Sequence, residues 1–162
     1  RMRGKQVLMY EAAKKATDAL EVGVYMGHSA LLMLMANPKL NLTLIDPGND
    51  LPEKASNFLK EKFPEANIQY YKESGLTKMI LLEQQGSEKF DFFHIDGDHN
   101  INTVRSEWNH LLTIAKDNFQ IIFDDVDAVG EIAEEVEQFN IVDQYKHEGW
   151  GPCNYYSVKL SG

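Results

Sequence analysis

Residues 90–99 read Phe90-Asp91-Phe92-Phe93-His94-Ile95-Asp96-Gly97-Asp98-His99. Apolar side chains stand at consecutive positions and then give way at once to acids and a glycine. A strand that is apolar at both parities is buried on both faces, which points to a parallel sheet covered by helices. The stretch ending Ile121-Ile122-Phe123-Asp124-Asp125 repeats the arrangement. Working outward, the β-like runs are Ala19–Val24, Leu42–Asp46, Ile68–Lys72, Phe90–Asp96 and Phe119–Asp125.

Helical signals fill the gaps between these runs. Ser29 is placed to cap a helix that Pro38 stops. Pro52 suits a first helical turn, with Ala55, Phe58, Leu59 and Phe63 expected on one face before Pro64. Val104, Trp108, Leu111, Leu112 and Ala115 form another stripe, and Ile132, Val136 and Phe139 a third. Glu131, Glu134, Glu135 and Glu137 lie opposite the third stripe and read as a solvated helix face. At the tail, Ile141–Glu148 and Cys153–Leu160 are strand-like and separated by only Gly149-Trp150-Gly151-Pro152. So short a link cannot be a parallel crossover, so the last strand should run antiparallel. The expectation is a helix, five βα units and a hairpin: an α/β, Rossmann-like, doubly wound and mostly parallel seven-stranded sheet. One domain should span residues 1–162. Such sheets bind ligands beyond the carboxyl ends of their strands.

The composition agrees with one soluble globular domain: 162 residues, 43% hydrophobic and 25% charged. Sixteen basic residues against 25 acidic ones give a net charge of −9. Such a surface repels phosphate backbones and anionic lipids, which argues against nucleic-acid and membrane-surface roles. The single cysteine, Cys153, excludes an internal disulfide and a cysteine-built zinc site, and fits a reducing, cytoplasmic compartment. No run is long enough to cross a bilayer, and no signal-peptide pattern opens the chain. The first residue is Arg1 rather than methionine.

The polar residues gather where ligands are expected. After the first strand comes Glu21-Val22-Gly23-Val24-Tyr25-Met26-Gly27-His28-Ser29. Its glycines permit a tight turn and close approach of a ligand, and a helix begins beside Ser29. It lacks the full G-x-G-x-x-G spacing of a dinucleotide site. Asp46 follows the second strand, where a carboxylate can accept ribose hydroxyls; a helix-capping or turn role is the bland alternative. Asp96, Asp98, Asp124 and Asp125 crowd the mouths of neighbouring strands, and like charges so placed call for a cation; the bland alternative, capping of the following helices, accounts for one acid per loop but not for both pairs. Hard oxygen ligands suit Mg²⁺ or a similar ion. His94, inside an apolar run, reads as a core histidine, and His28, His110 and His147 as structural or surface residues.

Together these residues resemble the class I S-adenosylmethionine-dependent methyltransferases, and among them the metal-dependent O-methyltransferases of the catechol and macrolide-sugar types. Glu21 to Ala30 looks like their E-x-G-x-Y-x-G-x-S-A segment, and Ile95-Asp96-Gly97-Asp98-His99 and Phe123-Asp124-Asp125-Val126 look like their two metal-binding segments. The resemblance implies that Gly23, Tyr25, Gly27 and Ser29 hold the methionine part of S-adenosylmethionine, with Glu21 fixing the loop. Asp46 would bind the ribose and Ser74 lie near the adenine. Asp96, counted among the cofactor contacts as well, would bind a divalent metal with Asp124 and Asp125. His99 would be the general base that takes the proton of a hydroxyl on a small molecule or sugar, with Asp98 orienting. The family carries more chain before its first strand; a missing upstream segment, a lid from a second copy in a homo-oligomer, and a large acceptor would each account for that. Three rival readings are a metal-dependent nucleotide-sugar glycosyltransferase using Asp96 and Asp98, a non-catalytic cofactor-binding module of the same fold, and a nicotinamide dehydrogenase.

Overall fold

In the computed structural model, which describes residues 4–98, 100–124, 126–147 and 153–160, helices and strands alternate in the expected order. They are α1 (Gly4–Lys15), β1 (Asp18–Val22), α2 (His28–Ala36), β2 (Asn41–Ile45), α3 (Leu51–Lys62), β3 (Asn67–Tyr71) and α4 (Gly75–Gln85). Then follow β4 (Phe90–Ile95), α5 (Ile101–Ile114), β5 (Ala115–Asp124), α6 (Val126–Glu137), β6 (Asn140–His147) and β7 (Cys153–Lys159). All seven strands join one sheet in the order β3-β2-β1-β4-β5-β7-β6. β1 to β5 pair in parallel, and β7 runs antiparallel to both β5 and β6. The strand order reverses between β1 and β4, so a crevice opens at their carboxyl ends.

The doubled apolar positions divide as a two-faced strand requires. Phe93 and Ile121 enter one core, which holds Trp108, Phe119, Phe123 and Tyr156 under α4, α5 and α6. Their neighbours Phe92 and Ile122 enter the other core, with Ala12, Ala13, Met33 and Leu34 of α1 and α2. Phe93 meets Phe119 edge to face at 5.6 Å, and Trp108 meets Phe139 likewise at 5.6 Å. Such pairs add about 0.5–1.5 kcal/mol beyond the area they bury. Among the described residues no helix is long and apolar enough to cross a membrane.

Three local expectations are corrected. β1 ends at Val22, two residues early, because Gly23 turns the chain with φ +87°. Ser29 lies inside the first turn of α2, and the position before the helix belongs to Gly27, at φ +78° and with no side-chain cap. The buried face of α3 runs through Pro52, Ser56 and Leu59. Phe58 is instead 52% exposed, with the Lys62 ammonium 5.6 Å above its ring. Of the acids on α6, Glu131 and Glu135 are held by Arg105 of α5, which ties the two helices together.

Candidate active site

The loop after β1 is fixed by close backbone approach. Gly23 donates its N–H to Ile45 O at 2.9 Å, and Asp96 donates its own to Val22 O at 2.9 Å. A Cβ on Gly23 would stand 1.9 Å from Asp96 O, so no other residue fits there. At Gly27 a Cβ would meet Ala55 Cβ at 3.0 Å, on top of an unfavourable φ. Tyr25, at φ +49° and 65% exposed, presents its ring outward from the loop.

Asp46 holds this loop from the neighbouring strand. Its Oδ2 accepts from Val24 N at 2.8 Å and Tyr25 N at 2.9 Å, and Oδ1 accepts from Gly48 N at 2.7 Å. A carboxylate has about four acceptor sites, so Oδ1 keeps room for one further donor. The acid expected to serve a ligand is thus also the clamp that shapes the loop.

Between α1, α2 and this loop lies a cleft of about 510 Å³, within the range of small-molecule sites. Gly23, Tyr25 and Ser29 line it, as do His28 at the head of α2, His94 of β4 and Asp96 just beyond that strand. Met9, Leu31, Leu32 and Met35 give it an apolar wall, and Lys5 closes one side. Asp46 and Ser74 are not among its lining residues. The Ser74 hydroxyl caps α4 by accepting from Thr77 N at 3.2 Å.

The polar end of the cleft is built on three adjacent strands. Glu21 and His94 are register partners on β1 and β4, with Oε2 2.8 Å from Nδ1, both fully buried. A ring nitrogen of His94 and one oxygen each of Asp96 and Asp124 lie within 4.8 Å of one another. Lys5 reaches in from α1, bonding Asp124 and standing 3.7 Å from Asp96. Burial, with a hydrogen bond to Asp124, raises Asp96 to about 6. Burial also pushes Asp124 upward, but the Asp96 hydrogen bond and the Lys5 ammonium bring it below the ordinary carboxylate range. The Lys5 ammonium is the cation the pair now has, and His94 Nε2 is buried without a hydrogen-bond partner among the described residues. Two carboxylates and an imidazole nitrogen fit a divalent ion.

Asp98 accepts from Asn100 N at 3.0 Å, the local turn the bland reading expects. It stands outside the His94, Asp96 and Asp124 group, which weakens the D-x-D alternative. His99 and Asp125 lie outside the described residues. Lys5 was not signalled by sequence, because nothing in a lone lysine on a first helix points across the sheet to β5. His94 could have been included, since residues two apart on a strand share a face and Asp96 follows it by two. Glu107 of α5 was also missed. It is 2% exposed, with Oε2 unpartnered among the described residues, and a Cβ on Gly75 would stand 2.5 Å from its Oε1. Burial and the nearby charge of Asp98 push it up to about 7.

Residues 20–126, roughly two thirds of the chain and all of the crevice-forming strands, match a family model described as a methyltransferase domain. The chain belongs to this methyltransferase family. The fold is that of solved O-methyltransferases. TomG from Streptomyces achromogenes, solved with S-adenosylmethionine, superposes with a TM-score of 0.77 at 16% identity, covering 100% of this chain and 82% of that one. An O-methyltransferase from Bacillus cereus, solved with S-adenosylhomocysteine, gives 0.72 at 14% identity, covering 99% and 83%. A putative O-methyltransferase from Klebsiella pneumoniae gives 0.76 at 16% identity, covering 99% and 82%. No curated protein matches this methyltransferase domain in sequence.

Proposed function

We propose that this methyltransferase moves a methyl group from S-adenosylmethionine to a hydroxyl of a small molecule or sugar. The observation that carries the reading is the Gly23 turn, pressed on Asp96 and clamped by Asp46, at the head of a cleft that ends in a carboxylate pair. The Gly23–Ser29 backbone binds the methionine part of the cofactor, and the spare acceptor site on Asp46 takes a ribose hydroxyl. Ser74 lies toward the adenine, its hydroxyl already engaged in capping α4. Glu21, which the resemblance assigns to fixing the loop, holds His94.

Methyl transfer needs an acceptor oxygen in line with the sulfonium methyl: a C–O bond forms as the S–C bond breaks, and S-adenosylhomocysteine leaves. The sulfonium is already activated, so the protein supplies proximity and a deprotonated oxygen. Asp96 and Asp124, with Asp125, would hold a divalent ion such as Mg²⁺, whose charge favours loss of the acceptor proton. His99, three residues beyond Asp96, takes that proton. Catechols and macrolide-sugar hydroxyls are the acceptor classes that fit the resemblance. A cytoplasmic setting is supported by the single cysteine, Cys153, which is free and buried.

The test is transfer of labelled methyl from S-adenosylmethionine to a panel of catechols and glycosylated hydroxyl acceptors. Label in an ether product supports the proposal. Binding of a uridine diphosphate sugar with no binding of S-adenosylhomocysteine would transfer the case to the glycosyltransferase reading.

A further inference from the structure

We propose that His94 is itself a ligand of the divalent ion, through Nε2, and that Glu21 is the group that orients it. This rests on the reading of Asp96 and Asp124 as a metal site, and changes which ion that site takes. His94 is 1% exposed and its Nε2 has no hydrogen-bond partner among the described residues. A buried polar atom left unpaired is costly, so it is expected to have something to bind. Nδ1 is occupied by Glu21 at 2.8 Å. A carboxylate can only accept, so the proton sits on Nδ1 and the free lone pair is on Nε2. A carboxylate holding the far nitrogen of a metal-bound imidazole is a recurrent arrangement that fixes tautomer and ring orientation.

The strand ends bring the ligands together. His94 is the penultimate residue of β4, Asp96 follows directly on the strand's last residue, and Asp124 ends the neighbouring β5. A ring nitrogen of His94 and one oxygen each of Asp96 and Asp124 lie within 4.8 Å of one another. The Lys5 ammonium, bonded to Asp124 and 3.7 Å from Asp96, provides the positive charge that an ion would replace. Its side chain is partly exposed and borne on a flexible stem, so it can swing aside into the cleft. An imidazole in the set disfavours Mg²⁺, which prefers oxygen ligands, and favours transition-series ions. Mn²⁺ should therefore bind more tightly than Mg²⁺, by about tenfold or more.

Mn²⁺ added to the full chain, read by pulsed electron paramagnetic resonance, tests this directly. The expected result is nitrogen modulation from a coordinated imidazole that persists in His99→Ala and disappears in His94→Gln while Mn²⁺ still binds. Glu21→Gln should retain the modulation and bind Mn²⁺ about 10–100-fold more weakly. Bound Mn²⁺ without nitrogen modulation, or with modulation unchanged in His94→Gln, overturns the His94 assignment and leaves the carboxylate site standing. Failure of the parent chain to bind Mn²⁺ at all overturns the metal reading and this inference with it. Should His94→Gln not fold, proton–nitrogen NMR of the parent with Zn²⁺ decides: the buried imidazole's Nε2 resonance moves on binding, or the assignment is wrong.

Discussion

Glu21 and His94 face each other across β1 and β4, Oε2 to Nδ1 at 2.8 Å, beneath the loop and beside the acids of the cleft. The hydrogen bond joins the strand that precedes the glycine turn to the strand that supplies Asp96. Glu21→Ala would leave His94 Nδ1 buried without a partner. The expected loss of folding stability is about 1–3 kcal/mol, the cost of an unsatisfied buried polar atom. Urea unfolding of the two proteins measures it, and an unchanged midpoint would show that the pair contributes nothing.

Asp46 gives a second prediction, which separates its two roles. With both Val24 and Tyr25 amides on Oδ2, Asp46→Ala should loosen the loop even when no ligand is present. Hydrogen exchange at those two amides should quicken in the variant, and S-adenosylhomocysteine binding should weaken by about 1–3 kcal/mol. Unaltered exchange with weakened binding would assign Asp46 to the ribose alone.

Much of this fold can be read from adjacent residues of one type. Phe92 beside Phe93 and Ile121 beside Ile122 announce a sheet covered on both faces, and the two cores receive one of each pair. The short link before Cys153 announces the reversed β7. The glycines and acids at the strand ends mark the crevice, because turns and carboxylates there have few packing reasons to coincide. Long-range pairings are another matter. That Lys5 meets Asp124, 119 positions away, depends on how α1 lies across the sheet, and no local pattern encodes it. Phe58 leaves its expected face and Ser56 is buried because the rotation of α3 is set by its packing, not by its apolar count.

Lys5 carries the third prediction. Its ammonium competes with any ion for Asp96 and Asp124, so Lys5→Met should tighten Mn²⁺ binding by about tenfold, some 1.4 kcal/mol. Without metal the same variant should melt lower, since two carboxylates then face each other uncompensated. Weaker Mn²⁺ binding in Lys5→Met would mean that the lysine supports the site instead of competing for it.

Glu107 sets a pH dependence on stability. Its carboxyl is pushed up to about 7 in the folded chain, above its ordinary value near 4.5. The folded state therefore holds a proton that the unfolded state has released, and stability falls as pH rises from about 4.5 through 7. Glu107→Gln removes the penalty of burying the charge. It should raise the melting temperature at pH ~8 and change it little at pH ~4.5. Thermal melts of both proteins across that window give the answer, and equal shifts at both ends would contradict it.

Calorimetric titration of S-adenosylhomocysteine into the parent chain and into Gly23→Ala tests the central claim most directly. Gly23 has no space for a Cβ, which would stand 1.9 Å from Asp96 O, and the loop it turns is the proposed seat of the cofactor. The account predicts saturable one-site binding to the parent, and binding weakened by about tenfold or more in Gly23→Ala, with its circular dichroism checked for retained fold. A parent chain that does not bind S-adenosylhomocysteine, or a folded Gly23→Ala that binds it equally well, would contradict the account.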